Sequence, residues 1–361
     1  MADQRAFEEL GPNSGFFEDM HRRWLDNPAS VDVSWRTFFG STVDASATRP
    51  PASPIVDAPP ATSVRDKEAI PPPATSERDK VVPLPPPLVL EGEETSPLRG
   101  ASARIVENME ASLAVPTATS VRTVPAKLLE VNRQILNNHL ARTSDTKVSF
   151  THVIAYAVLR GLERVPAMNA GFGTADGHPV MVRHEHVNLG LAVDVKKSDG
   201  SHTLVVPNVR EADSLDFAAF HAAYEELIAK VRSNQLSPDD FAGTTGTVTN
   251  PGTIGTVHSV PRLMPGQGFI VGVGAIGFPA EYEGADPHTL ARLGVSKTIA
   301  LTSTYDHRII QGAESGEFLG VVHRLLVGED AFYDDIFKSI GVPYEPARWS
   351  VDITATEEDS I

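Results

Sequence analysis

The sequence of 361 residues contains no cysteine. This absence excludes a thiol nucleophile on the protein, a disulfide bond and any metal or iron–sulfur site with cysteine ligands. Basic residues are also scarce, because 31 Lys and Arg stand against 47 Asp and Glu and give a net charge of −16. Since the sequence has no basic block either, we expect no nucleic acid and no anionic membrane among its main partners.

Long apolar segments are missing as well. The sequence holds no run of 18 apolar residues, and its start, MADQRAFEEL, lacks the basic and apolar blocks of a secretory signal. We therefore expect a soluble, cytoplasmic protein with no membrane segment. The length is sufficient for about two domains, the larger one with a sizeable core.

Proline is concentrated in one region. Residues 41–100 hold 13 of the 28 prolines, and within them PPATSVRDK (59–67) returns as PPATSERDK (72–80). Such a segment has too few large apolar residues to offset the entropy of ordering. We predict a Pro/Ala-rich disordered linker over residues 41–96.

A short aromatic segment precedes this linker. Its large apolar side chains recur at helical spacing on one face, and this helix is expected to stop at Asn27-Pro28, before a second helical piece. The apolar residues of the two pieces are Phe16, Phe17, Met20, Trp24, Leu25, Trp35, Phe38 and Phe39. Two short helices cannot bury this set between themselves. Residues 1–40 are therefore predicted to be a helical attachment segment that docks on a partner, or else a small subdomain packed on the main body.

Residues 97–350 have the apolar patterns of a continuous globular domain, followed by a C-terminal tail over 351–361. Helical periodicity predicts helices at 104–113, 125–140, 149–165, 213–234, 315–327 and 331–340. Alternation predicts strands at 187–195, 203–207, 245–249, 269–273 and 298–304, with a hairpin turn at Asp199-Gly200. The inward face of the first helix is expected to be Ile105, Val106, Met109 and Leu113. Helices and strands do not alternate strictly, so the predicted fold class is α+β, a mixed-sheet sandwich against helices.

A polar cluster ends the last predicted strand. It runs Ser303-Thr304-Tyr305-Asp306-His307-Arg308-Ile309-Ile310-Gln311-Gly312 and stands before a predicted helix. Loops at strand ends commonly carry catalytic groups. The residues alone make His307 a candidate general base, with a structural or surface histidine as the alternative.

A stretch rich in glycine and threonine runs from Gly243 to Gly255. Its hydroxyls could donate to a developing oxyanion, or it could be a plain strand–turn–strand; the spacing of a P-loop, with its Lys, is absent. Residues 272–277 match G-x-G-x-x-G, but Phe278-Pro279 follows where a dinucleotide site needs a helix. A buried glycine-rich strand is therefore favoured over a nucleotide site.

The run His184-Glu185-His186 offers side chains that could ligate a metal. No third ligand is evident, and apolar alternation begins at Val187, so a solvated loop is favoured and no metal site is predicted. The sequence also lacks a G-x-S-x-G elbow, which weakens the case for a serine hydrolase.

Taken together, these motifs resemble those of the dihydrolipoamide acyltransferases of 2-oxoacid dehydrogenase complexes. The family motif D-H-R-x-x-D-G appears as residues 306–312, with Gln311 at the position of the second Asp, and T-N-x-G appears as residues 249–252. The family's opening pattern, L-R-G…I-A-x-x-M-x-x-S…P-x-x-T, appears as Leu98-Arg99-Gly100, Ile105-Val106, Met109, Ser112, Pro116 and Thr119. Residues 16–40 are similar to the N-terminal segment of the decarboxylase component of 2-oxoglutarate dehydrogenase.

The resemblance implies a chloramphenicol acetyltransferase-like fold for an acyltransferase catalytic domain over residues 97–350. An N-terminal decarboxylase segment joined to such a domain is the arrangement of the actinobacterial-type 2-oxoglutarate dehydrogenase fusion, in which a thiamine-dependent decarboxylase follows. The chain is then expected to be either a piece of such a fusion or a stand-alone relative.

The resemblance also implies roles for three residues. His307 is expected to take the proton of the attacking thiol, because a thiol with a pKa near 8.5 is mostly protonated at neutral pH. Thr249 is expected to donate its hydroxyl to the tetrahedral oxyanion. Gln311 stands where the family usually has Asp, and Ser102-Ala103 stands where it usually has a basic pair near the domain start. Because the anion and its cation are both absent, neutral groups replace an ion pair. We therefore expect Gln311 to be a structural or orienting group.

The implied reaction is acyl transfer of the dihydrolipoamide succinyltransferase type, in the 2-oxoglutarate dehydrogenase complex of the tricarboxylic acid cycle. CoA or succinyl-CoA is a substrate, the lipoyl group is carried in trans by a partner, and thiamine diphosphate with Mg²⁺ belongs to the decarboxylase part. The implied partners are further copies of the chain in a homotrimer or larger assembly, a lipoyl-bearing acyltransferase subunit, the 2-oxoglutarate decarboxylase domain and dihydrolipoamide dehydrogenase. The rival hypothesis is a catalytically weak trimeric scaffold.

Overall fold

The computed structural model describes residues 14–44, 95, 97, 101–196 and 202–349. Most of the predicted linker, the Leu98-Arg99-Gly100 motif, the turn at Asp199-Gly200 and the tail over 351–361 lie outside the described residues. Within the described part, no helix combines the length and the apolar character that crossing a membrane requires.

The described helices are α1 (Ser14–Asp26), α2 (Val33–Asp44), α3 (Ala101–Leu113), α4 (Lys127–Thr143), α5 (Phe150–Arg164), α6 (Phe217–Ser233), α7 (Pro287–Arg292), α8 (Gly312–Leu326) and α9 (Phe332–Ile340). The strands are β1 (Thr117–Pro125), β2 (Ala170–Ala175), β3 (His178–Arg183), β4 (Leu189–Leu191), β5 (Val193–Lys196), β6 (His202–Val205), β7 (Asn208–Val209), β8 (Gly246–Thr249), β9 (Phe269–Val273) and β10 (Thr298–Asp306).

Six strands form one mixed sheet in the order β1-β10-β9-β8-β4-β7. Strand β8 lies parallel to both β4 and β9, whereas the pairs that involve β1, β10 and β7 are antiparallel. The pairs β2–β3 and β5–β6 form separate two-stranded sheets. The expected α+β class with a mixed sheet against helices is therefore confirmed.

Apolar residues from the sheet and from the helices meet in one core. Its largest fully buried side chains are Trp35, Phe17, Phe39, Phe217, Phe220, Phe269, Phe318, Phe337, Leu129, Leu136, Ile154 and Leu159. Burying one such side chain stabilises a fold by about 1.5–3 kcal/mol. Since the set includes residues of α1 and α2, the N-terminal helices share this core.

Helix α5 runs through the interior. Ser149 is its N-cap, as the sequence predicts: the Ser149 hydroxyl accepts from the His152 N–H, and Nδ1 of His152 accepts from the Ser149 N–H, both at 3.2 Å. This reciprocal cap satisfies two backbone donors at the helix start. Residues 153–159 are at most 5% exposed, so the helix and its first turn are firmly held.

The aromatic N-terminal segment packs on the main body. The rings of Phe16 and Phe17 lie 5.5 and 5.1 Å from the ring of Phe241, and the Trp35 indole N–H donates to the carbonyl of Leu236 at 2.6 Å. The Phe17–Phe241 pair is edge-on, and such a pair adds about 0.5–1.5 kcal/mol beyond the area it buries. Of the two arrangements that the sequence leaves open, the structure shows the packed one.

The apolar face of α3 is not buried, so the expectation of an inward face is wrong. Ile105, Val106, Met109 and Leu113 are 51%, 40%, 40% and 66% exposed. The helix has the amphipathic period of a core helix, but it leads into the edge strand β1, and the described elements leave this face largely open. Periodicity shows that a face is apolar and does not show what covers it.

The sequence patterns also fail to predict β1 and the β2–β3 hairpin. Along β1 only Val124 is buried, and β3 is mostly exposed. Both therefore lack the buried-exposed alternation that marks a half-buried strand. The predicted helix over 213–234 begins later, at Phe217, with Asp216 as its N-cap.

Candidate active site

The His307 loop follows the C-terminal end of β10. The His307 N–H donates to the carbonyl of Pro116 at 2.9 Å, and the N–H groups of Ile309 and Ile310 donate to the carbonyl of Asp306 at 3.2 and 3.0 Å. These backbone bonds fix a tight turn between β10 and α8. The imidazole of His307 stays exposed at its tip.

One hydrogen bond sets the tautomer of His307. Its Nδ1 lies 3.1 Å from the carbonyl oxygen of Ile310. A carbonyl can only accept, so Nδ1 carries the proton and Nε2 keeps a lone pair. The ring also packs edge-on against Tyr305, with centroids 5.5 Å apart. His307 is thus oriented to accept a proton on Nε2.

An ion pair holds the turn from below. The carboxylate of Asp306, 1% exposed, accepts from Nε and from a terminal guanidinium nitrogen of Arg308 at 2.9 and 2.6 Å. This paired hydrogen bonding raises the pKa of Arg308 above its ordinary value. The guanidinium also stacks 3.7 Å over the ring of Phe172. Asp306 and Arg308 both belong to the D-H-R motif, but the residue types alone do not predict that they pair with each other.

Gln311 is the exposed N-cap residue of α8. Its N–H donates to the carboxylate of Glu314 at 2.6 Å, and its carbonyl accepts from the Ser315 N–H at 3.2 Å. These are the backbone bonds of an N-cap. The expectation that Gln311 is structural or orienting stays a prediction, and the structure gives its backbone a capping role.

Thr249 stands at the C-terminal end of β8, beside a cleft of about 490 Å³. The cleft is lined by Thr151, Leu191, Ala192, Val193, Asp194, Leu204, Tyr224, Ile228, Val248, Thr249, Asn250, Pro251, Thr253 and Ile254. Asp194 is the charged residue in this set. The cleft walls are therefore mostly apolar, with a few hydrogen-bonding atoms and one carboxylate.

The sheet register separates Thr249 from His307. Thr249 pairs with Gly272 on β9, and Gly272 pairs with Thr302 on β10. His307 lies five residues beyond Thr302, which at about 3.3 Å per residue is about 17 Å along the strand. One chain places His307 and Gln311 together in one loop and Thr249 at the opposite end of the sheet. A site that uses both the imidazole and the threonine hydroxyl needs a second copy of the chain.

Two glycines allow main chains to cross behind Thr249. A Cβ atom on Gly252 would collide with the backbone of Gly274, and one on Gly274 would collide with the carbonyl of Val257. Residues 269–273 form a fully buried strand. Close packing of main chains therefore explains Gly274 of the G-x-G-x-x-G match, whereas a Cβ atom on Gly277 would meet nothing within 4 Å. The buried strand agrees with the interpretation favoured by the sequence.

His152, His221 and Glu225 also lie together, with their ligand atoms within 4.8 Å of one another. Since Nδ1 of His152 accepts from the Ser149 N–H, the neutral ring carries its proton on Nε2, 3.1 Å from the Glu225 carboxylate. Nε2 of His221 bonds to the carbonyl of Lys147 at 3.1 Å. A metal on Nε2 of His152 would force the proton onto Nδ1 and break the bond from Ser149, so hydrogen bonding accounts for this cluster better than metal ligation.

The His184-Glu185-His186 run lies in a loop. His186 is 3.2 Å from the carboxylate of Asp213, which raises the pKa of this imidazole, and Asp213 also accepts from the Val187 N–H at 2.7 Å. These contacts tie the loop to the turn over Ala212–Ser214, which precedes α6.

Comparisons with known proteins agree with this architecture. The family model described as 2-oxoacid dehydrogenases acyltransferase (catalytic domain) matches residues 90–331, and the model described as 2-oxoglutarate dehydrogenase N-terminus matches residues 10–46. The first match covers well over half of the sequence. The chain therefore belongs to the acyltransferase family of the 2-oxoacid dehydrogenases, with the N-terminal segment of a 2-oxoglutarate dehydrogenase in front.

Two curated relatives carry the name multifunctional 2-oxoglutarate metabolism enzyme. The protein of Mycolicibacterium vanbaalenii is 48% identical over 97% of this chain and 30% of its own length, and that of a Mycobacterium species (strain KMS) is 43% identical over 97% of this chain and 32% of its own length. The chain thus spans about a third of the length of these relatives.

Solved acyltransferase cores have the same fold. A probable dihydrolipoamide acetyltransferase from Listeria monocytogenes superposes with a TM-score of 0.55 at 22% identity, over 71% of this chain and 99% of that one. A truncated catalytic core of the 2-oxoacid dehydrogenase multienzyme complex from Thermoplasma acidophilum gives 0.54 at 26% identity, over 66% and 100%. The cubic core of a pyruvate dehydrogenase multienzyme complex gives 0.57 at 24% identity, over 69% and 99%.

Proposed function

We propose that this chain catalyses transfer of a succinyl group between dihydrolipoamide, carried on a partner's lipoyl domain, and CoA. Membership of the acyltransferase family and the names of the two relatives support this assignment. The observation that carries it is the bond between Nδ1 of His307 and the Ile310 carbonyl, which leaves Nε2 as a base at the end of β10. The acyl group is succinyl because both the N-terminal match and the relatives' names point to 2-oxoglutarate.

The chemistry needs one base and one hydrogen-bond donor. Nε2 of His307 takes the proton of the attacking thiol, and the sulfur attacks the thioester carbonyl carbon to form a tetrahedral intermediate. The Thr249 hydroxyl donates to its oxyanion. When the carbonyl re-forms, the other C–S bond breaks and the leaving thiolate takes the proton back from His307. No covalent bond to the protein forms at any step, which is compatible with a chain without cysteine.

The register implies that this site forms between two copies of the chain. Exposed apolar side chains flank each half. Ile254, Val257 and Val260, which follow Thr249 in the chain, are 85%, 66% and 62% exposed, and the open face of α3 ends at Leu113, three residues before Pro116, whose carbonyl accepts from the His307 N–H. Exposed patches of this kind mark contacts between proteins. Because the two patches differ, the contact is head-to-tail and closes into a ring, in this proposal a homotrimer.

In this proposal the other components act around the trimer. The lipoyl group arrives in trans on an acyltransferase subunit, the decarboxylase part with thiamine diphosphate and Mg²⁺ supplies the succinyl group, and dihydrolipoamide dehydrogenase reoxidises the product. We place the assembly in the cytoplasm.

Thioester exchange tests the proposal. The purified chain is mixed with succinyl-CoA and dihydrolipoamide, and the rate is compared with that of His307→Ala. We expect a loss of about 10² to 10⁴-fold with the oligomer intact. The exposed His178→Ala is the matched control and should keep the full rate. Equal rates for His307→Ala and the parent chain would leave the scaffold hypothesis in place of the enzyme.

A further inference from the structure

A hydrogen bond anchors the residue that follows Thr249. The side-chain amide of Asn250 donates through Nδ2 to the hydroxyl oxygen of Thr151 at 2.7 Å. The other end of that amide, Oδ1, is buried and has no partner among the described residues. The bond to Thr151 is therefore the contact that orients the Asn250 side chain.

Thr151 offers a rigid support for this bond. It lies in the first turn of α5, between the Ser149 cap and the fully buried middle of the helix. The Asn250 backbone is fixed from the opposite side, because its carbonyl accepts from the Thr253 hydroxyl at 3.1 Å and Gly252 packs against the backbone of Gly274. The end of β8 is thus held by α5 on one side and by the turn that follows β8 on the other.

We propose that Thr151 is a positioning residue for acyl transfer: it holds the end of β8 through Asn250 and so places the Thr249 hydroxyl where the oxyanion develops. The inference rests on the proposed function. A donor stabilises an oxyanion only within hydrogen-bond distance of the atom on which charge develops, and a shift of about 1 Å removes much of its effect. Thr151 also lines the same cleft as Thr249 and Asn250.

The first test compares two substitutions of Thr151 in the thioester exchange. Thr151→Val keeps the shape and removes the hydroxyl, whereas Thr151→Ser keeps the hydroxyl. Since loss of a whole oxyanion donor costs about 10² to 10³-fold, we expect displacement of that donor in Thr151→Val to lower kcat about 10-fold with KM within about twofold, and Thr151→Ser to recover most of it. Thr143→Val, which removes a hydroxyl bonded to His139 within α4, is the matched control and should leave kcat unchanged.

The second test places Thr151→Val in a Thr249→Ala background. If Thr151 acts through the Thr249 hydroxyl, the second substitution has no further effect on kcat, because the group that it would displace is already absent. An equal loss in both backgrounds would overturn the inference, as would a Thr151→Ser variant no better than Thr151→Val. Failure of the proposed function is distinguishable, because the parent chain would then show no thioester exchange, or Thr249→Ala and His307→Ala would both exchange at the parent rate.

Discussion

The two ends of the central sheet carry the two halves of the proposed chemistry and are built in different ways. At the His307 end, a buried carboxylate paired with Arg308 and a set of backbone bonds hold an exposed ring. At the Thr249 end, mostly neutral side chains, with Asp194 as the one carboxylate, and closely packed main chains surround a cleft. Charge fixes the base, whereas packing and uncharged hydrogen bonds fix the donor. The register keeps the halves apart within one chain, so the proposed catalysis requires assembly of several copies.

The largest effect is expected when the two halves of the proposed site, His307 and Thr249, are inactivated in separate chains. His307→Ala and Thr249→Ala are each expected to be nearly inactive as pure oligomers. After unfolding and joint refolding in equal amounts, about a quarter of the head-to-tail contacts should combine an intact histidine with an intact threonine. Exchange activity should therefore rise to about a quarter of the parent rate. Mixtures that stay inactive although mixed oligomers form would show that the two side chains do not share a site.

The next effect should appear at the His307 end alone. Asp306→Asn leaves Arg308 without its anion, and we expect the free energy of unfolding in urea to fall by about 3 kcal/mol. Asp239→Asn is the matched control, because Asp239 is 90% exposed and 4.0 Å from Arg210; its effect should stay within about 0.5 kcal/mol. A similar loss of stability in Asp306→Asn and Asp239→Asn would mean that the Asp306–Arg308 ion pair does not hold the His307 end of the sheet.

Acid should weaken the packing of His152, which lies in the first turn of α5 next to Thr151. Burial lowers the pKa of His152 to about 3, and the neighbouring His221 acts in the same direction. The unfolded chain binds a proton on this ring below its ordinary pKa of about 6.5, whereas the folded chain does not. The stabilisation is therefore complete above pH 6.5 and is lost as the pH falls towards 3, by up to about 1.4 kcal/mol per pH unit.

Urea unfolding of the parent chain and of His152→Gln at pH 7.5 and pH 5.5 measures this contribution. The variant should lose less stability over this interval, because its side chain does not titrate. Parallel losses in the two proteins would assign the acid sensitivity to other groups.

The smallest effect is expected at Gln311. Because its described bonds are made by its backbone, Gln311→Ala should change kcat by less than about twofold and stability by less than about 1 kcal/mol. A loss comparable to that of His307→Ala would make the Gln311 side chain part of the catalytic machinery.

Sequence patterns predict the parts of this molecule that depend on local order. The Ser149 cap, the β8 and β9 strands and the helices on either side of 328–331 follow from periodicity and from capping residues over a few positions. The motifs around His307 and Thr249 are equally local, and their resemblance to a family supplied roles that residue types alone left open.

The remaining features depend on contacts between distant residues. The bond from Trp35 to Leu236 spans 201 positions, and that from Asn250 to Thr151 spans 99. The opposite placement of Thr249 and His307 depends on which strands pair and in which direction, and that is decided by packing of the whole sheet. The open face of α3 was not predictable for the same reason, because an amphipathic pattern does not indicate which element packs against the apolar face.

The crossing of main chains at Gly252 and Gly274 has a practical consequence for engineering. A side chain at either glycine, even that of alanine, would push two polypeptide backbones apart beneath the cleft. An activity screen would then report this structural damage as weak substrate binding. Mutant libraries that aim at new thioester substrates should keep both glycines. They should vary residues of the cleft wall such as Leu204 and Ile228, where the side-chain volume can change without separating the two backbones.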